Sequence, residues 1–107
     1  MRAKFRVETV AAAEADLRAI HEYIARDKEM AATRWLQKAT TAIRSLRFFP
    51  YAHEMIPEVE ELGIERRHLI LGNYRIIFRV EEQRVRVLRV IHAARRLTRE
   101  MLLDESS

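Results

Sequence analysis

The sequence predicts an α+β fold with the order β-α-α-β-β-β-α, a helical hairpin packed on one face of a small antiparallel sheet. Three observations lead there. Two adjacent helical stripes fill the first half of the chain. A change to two-residue alternation follows from about residue 64. Two tight connections, Gly72-Asn73 and Glu81-Glu82-Gln83, divide the later run into three strands. With 107 residues, 49% of them hydrophobic and 34% charged, the chain is expected to be one domain, 1–107, with a packed core.

Each element has a local reason. Lys4 to Thr9 alternates Phe5, Val7 and Thr9 against Lys4, Arg6 and Glu8, as a short strand does. Thr9 is placed to cap the next helix. That helix, Ala11 to Arg26, carries Ala13, Leu17, Ile20 and Ile24 on one stripe, with Asp16, Arg18, Glu22 and Arg26 mostly off it. Asp27 is placed to end it and cap a second helix from about Glu29 to Phe48. The second stripe is Trp35, Ala39, Ala42, Ile43 and Leu46, and Pro50 stops the chain soon after. Phe49 to Leu62 holds both prolines and Glu54, Glu58, Glu60 and Glu61, which predicts an irregular connection with some helical turn. Ile64–Leu71, Tyr74–Val80 and Arg84–His92 read as strands. Ala94 to Leu103 reads as a closing helix and Asp104 to Ser107 as a polar tail.

Charge and composition limit the function. The 17 Arg and 3 Lys are unevenly placed: Gly63 to Arg99 holds ten Arg and three acids, a net of +7, so the other 70 residues sum to −3. Such a region calls for an anionic partner. With Tyr74, Ile76, Phe78 and Val80 toward the helices, Arg75, Ile77 and Arg79 face away, which predicts an open, arginine-bearing sheet face. The chain has no Cys, which excludes disulfides and a thiol nucleophile, and its four His lack metal-ligand spacing, so neither metal nor cofactor is expected. No apolar run is long enough to span a membrane and the N-terminus has no secretory h-region, which fits a cytoplasmic protein.

The string Leu69-Ile70-Leu71-Gly72-Asn73-Tyr74-Arg75-Ile76-Ile77-Phe78-Arg79-Val80 resembles the central strands of the RelE/ParE toxins. So does Val87-Leu88-Arg89-Val90-Ile91-His92-Ala93-Ala94-Arg95. Ala15, Asp16, Leu17, Ile20, Tyr23 and Ile24 agree in the first helix, and the resemblance covers nearly the whole chain. It implies the toxin of a type II toxin–antitoxin pair, held by a cognate acidic antitoxin that wraps it with a helix and an extended segment.

Two branches of that superfamily imply two mechanisms. The RelE-like branch cleaves mRNA on the ribosome, using the RNA 2′-OH as nucleophile without a metal. Carried over by position, it would use Arg75 as a phosphate clamp, Arg95 past the last strand, Arg66 and His68 as the basic pair, and His68 or His92 as the titratable group. The late Tyr or His of that branch falls near Met101, which can neither stack nor transfer a proton in the same way. The ParE-like branch inhibits DNA gyrase instead. The long hairpin, His92-Ala93-Ala94-Arg95 and the incomplete nuclease set lean toward ParE. In either case Arg67, Arg79, Arg96 and Arg99 are candidates for target or antitoxin binding. A plain nucleic-acid-binding module is the third reading, set back by a lack of aromatics on the predicted open face.

Overall fold

The computed structural model describes residues 4–103. Strand β1 (Arg6–Thr9) leads into helices α1 (Ala11–Ala25) and α2 (Glu29–Ser45). A 3-10 turn (Pro50–Ala52) and a single helical turn α3 (Val59–Leu62) follow. Strands β2 (Arg67–Leu71), β3 (Tyr74–Glu81) and β4 (Arg84–His92) come next, and a last turn, α4 (Arg99–Leu102), closes the order. The strands lie in the order β1-β4-β3-β2. β2, β3 and β4 form the expected antiparallel meander, and β1 joins parallel to β4, so the four-stranded sheet is mixed. The parallel pairing follows from the helical hairpin, which returns the chain across one face before the meander begins.

That hairpin buries its stripe where the pattern predicts. Ala13, Leu17, Ile20, Trp35, Ala42, Ile43 and Leu46 pack with Leu69, Ile76, Phe78, Val85, Val87 and Val90. Ala32 and Ala39 are fully buried on α2, side chains small enough for close approach. The caps differ from expectation. Val10 and Lys28 occupy the N-cap positions and neither helix start has a side-chain cap bond, so Thr9 and Asp27 do not act as caps. The two tight turns each need a positive φ, found at Gly72 (57°) and at Glu82 (54°).

Alternation in β4 is interrupted. The β3–β4 register shifts between Ile77 and Phe78: Ile77 faces Arg89 and Phe78 faces Val87, which leaves Leu88 as the extra residue of a bulge. Val87 and Val90 therefore both reach the helix-side core, while Ile91 serves the other face. At the bulge Arg89 turns to α1. Its Nε and Nη2 donate to Asp16 at 2.7 and 3.0 Å, and the Val90 amide donates to the same carboxylate at 2.9 Å. Asp16 thus fixes α1 to the bulge, and its hydrogen bond raises the Arg89 pKa.

Two sequence expectations are corrected on the second face. The closing helix spans only Arg99–Leu102, so Arg95 and Arg96 lie in the preceding segment rather than at a helix start. The sheet face opposite the hairpin is not left open. Ile77 and Ile91 are covered by Ile56, Leu97 and Leu102, with Val59, Leu62, Ile64 and Met101 around them. The segments 53–62 and 97–102 form a strap over Ile77 and Ile91, whose apolar side chains gain by leaving water. The polar tail expected at Asp104 to Ser107 lies outside the described residues.

Candidate functional site

The strap changes the setting of Arg75. Its alternation is as read, facing away from the helices, yet the residue is only 5% exposed. Nη1 and Nη2 donate to Oε1 and Oε2 of Glu58 at 3.1 and 2.9 Å, a two-pronged pair. Nη1 also lies 3.5 Å from Nδ1 of His68. Nε is buried with no hydrogen-bond partner among the described residues. Hydrogen bonding from Arg75 holds the Glu58 carboxyl below its ordinary value of 4.5, against the opposing effect of burial. Burial, reinforced by the Arg75 charge, holds His68 below its ordinary 6.5. His53, at the strap's start, is lowered by burial and by Arg67.

The other candidates serve several places. Arg66 Nε donates to the Leu102 carbonyl at 3.0 Å, and Arg99 Nη1 to the Leu62 carbonyl at 2.7 Å. Arg96 reaches Glu61 at 3.4 Å from an exposed position. These three arginines tie the segment 96–102 to the segment 61–66. Arg67 donates to the His53 carbonyl at 2.6 Å and lies over the Tyr51 ring. Arg79 pairs with Glu81 at 2.8 Å. His92 Nδ1 accepts the Ala94 amide at 3.1 Å, which puts the proton of the neutral ring on Nε2, and the ring packs edge-on against Tyr74. Arg95 is exposed and makes no side-chain hydrogen bond or ion pair among the described residues.

Of the five residues expected to form a nuclease centre, the structure brings Arg75 and His68 together. It directs Arg66 to a backbone carbonyl and His92 to the turn after β4. A phosphate could reach the Arg75 fork only by displacing Glu58. In the sequence Glu58 is placed only in the irregular connection Phe49 to Leu62, with no partner named. Its only signal was four acids in the one long connection facing a net +7 region. Among the described residues no three His, Asp or Glu side chains gather as a metal site, and no helix is long and apolar enough to cross a membrane.

The helical hairpin thus lies on one face of a small mixed sheet, with an arginine-rich strand region behind it. The family model for the ParE toxin of the type II toxin–antitoxin system parDE matches residues 7–97, and the chain belongs to that family. Among solved structures it is similar to one described as the chromosomal ParDE toxin–antitoxin system from P. aeruginosa. That match has a TM-score of 0.66 at 20% identity, covering 83% of this chain and 96% of the other. No curated protein matches the chain.

Proposed function

We propose that this ParE-family toxin inhibits DNA gyrase and is neutralised by a cognate acidic antitoxin. The observation that carries the reading is the family match over residues 7–97. The similar structure belongs to a toxin–antitoxin system, which supports a partner for this chain too. The net +7 of Gly63 to Arg99 suits an acidic one. The geometry of Arg75 weighs against the mRNA-cleaving alternative. Both prongs of its guanidinium are occupied by Glu58, and only His68 of the expected nuclease partners is beside it.

The test is a gyrase supercoiling assay with the purified chain, run beside cell-free translation with mRNA integrity followed. Inhibited supercoiling with intact mRNA is the expected result. Prompt mRNA cleavage on ribosomes with unaffected supercoiling would replace this reading with the RelE-like one. Added antitoxin, encoded by a neighbouring reading frame, is expected to restore supercoiling.

A further inference from the structure

We propose that the outer edge of β2 at Ile70, with the groove between β2 and α2 beside it, takes an acidic extended segment of the antitoxin as an added strand. The inference rests on the toxin–antitoxin reading and gives that partner a place on the surface.

Strand β2 ends the sheet order, so its outer edge has no full strand beside it. The segment 54–56 covers part of that edge. The His68 amide donates to the Glu54 carbonyl at 3.1 Å and the Ile56 amide to the Arg66 carbonyl at 2.8 Å, around the Met55–Arg67 bridge. Backbone groups alternate sides along a strand, so residues 66, 68 and 70 turn theirs outward, while 67, 69 and 71 turn theirs to β3. The cover stops at Glu54, because Pro50–Ala52 is a 3-10 turn and does not continue the ladder. The Ile70 amide and carbonyl therefore point outward with no hydrogen-bond partner among the described residues. The Ile70 side chain is 56% exposed, and Leu69 to Asn73 holds no charge and no proline to oppose pairing. Such an edge is a template for strand addition.

The groove decides the chemistry of the added strand. Leu71 turns to the helix side and lines a groove with Ala42, Thr41, Arg34 and Lys38 of α2. Arg34 and Lys38 are exposed and make no side-chain hydrogen bond or ion pair among the described residues. Neither wall opposes them with an acid: α2 carries only Glu29, in its first turn, and residues 67–74 carry none. Side chains of an added strand alternate between the two faces. The residue opposite Ile70 falls beside that side chain, where an apolar group covers it. Its neighbours fall on the α2 side, where carboxylates meet Arg34 and Lys38. An apolar residue flanked by acids fits both sides.

Other occupants use less of the surface. A second copy pairing through the same edge brings two sets of Arg34 and Lys38 together, which like charge opposes. A nucleic acid meets the cations but leaves the open amide and Ile70 unused.

The antitoxin encoded by the neighbouring reading frame, purified with the chain, tests this. Amide exchange read by NMR should slow at Ile70 when the complex forms. Ile70→Pro removes an outward donor and no bond to β3, so it should keep the circular dichroism of the parent. It should weaken antitoxin binding about 5- to 10-fold by calorimetry. Lys38→Gln should weaken binding about 2- to 3-fold, with the larger loss at low salt. Arg44→Gln makes the same charge change on α2 outside the groove and should have no effect. The exchange and the Lys38 comparison need no change in β2. Parent-like binding by folded Ile70→Pro, or unchanged exchange at Ile70, overturns the docking site and leaves the toxin–antitoxin reading intact. A dimer of the chain alone with a protected Ile70 amide overturns it in favour of a second copy. Loss of DNA binding in Lys38→Gln, with antitoxin binding unchanged, overturns it in favour of nucleic acid. Absence of any complex with the parent chain counts against the toxin–antitoxin reading itself and removes the occupant with it.

Discussion

On the helix-covered face of the sheet, Leu46, Leu69, Ile76, Phe78, Val85, Val87 and Val90 close with Ala13 into one apolar core. On the opposite face a smaller cluster, Ile56, Ile77, Ile91, Leu97 and Leu102, sits beside a buried guanidinium, and the rest is a band of charge. The first face is held by non-directional burial, which scales with apolar area and is indifferent to pH. The second depends on directed bonds: Arg75 to Glu58, Arg66 to Leu102, Arg99 to Leu62. One sheet therefore carries a robust side and a conditional side, and the candidate chemistry lies on the conditional one.

The largest expected effect breaks the robust side. Phe78 is fully buried, so Phe78→Ala should cost about 3–5 kcal/mol, read by urea denaturation. A loss below about 1 kcal/mol would mean that the helix-side core is not the main source of stability.

Glu58→Ala tests the conditional side and should cost about 2–3 kcal/mol. The residual Arg75 charge is 6% exposed, while the Glu58 side chain at 23% already meets some water, which keeps the loss at the low end for a broken buried pair. The double change Glu58→Leu/Arg75→Met should recover most of it, since paired burial costs desolvation on both sides. If the double variant is as unstable as the single, the strap is held by something other than this pair.

A smaller effect distinguishes the faces by pH. His53 and His68 are held below 6.5 in the fold, so the unfolded chain binds protons first as pH falls. Stability should decline as pH drops through 6.5, and His68→Gln should remove part of that decline. Glu58 is held below 4.5, so its contribution is present above 4.5 and is lost as pH falls through its lowered folded value. Hydrogen exchange across the titration should show the strap loosening before the helix-side core. Simultaneous loosening would remove the distinction.

The smallest effect is Arg96→Ala. With 87% of the side chain exposed and 3.4 Å to an exposed Glu61, the loss should be under about 0.5 kcal/mol, and toxicity assays with a folded variant would then report on partner contact alone.

The helix-covered face was legible because it follows periodicity. The stripe Trp35, Ala39, Ala42, Ile43 and Leu46 and the alternation Tyr74, Ile76, Phe78 and Val80 are short-range patterns that name their own faces. The same alternation placed Arg75 on the opposite face, and that placement held. Its burial did not follow, because burial depends on what covers a face. The cover comes from Ile56 and Leu102, 21 residues before Ile77 and 25 after it, in segments with no repeat to read. The bulge at Leu88 was hidden for a related reason, since alternation continues through it in sequence while the ladder shifts. The closing helix shrank to Arg99–Leu102 because Leu97 and Leu102 were taken up by the second core.

By itself the sequence determined the element order, the inner face of each helix and strand, the family resemblance and the concentration of +7 between Gly63 and Arg99. These depend on neighbours within a few residues or on simple sums. Only the tertiary structure decided that Glu58 closes on Arg75, that Asp16 holds Arg89, and that Arg6, Arg84, Arg86 and Arg79 stand side by side. The ion pairs and ladder partners among them join residues 7 to 78 positions apart, and charge acts through distance in space, which the order of residues along the chain does not give.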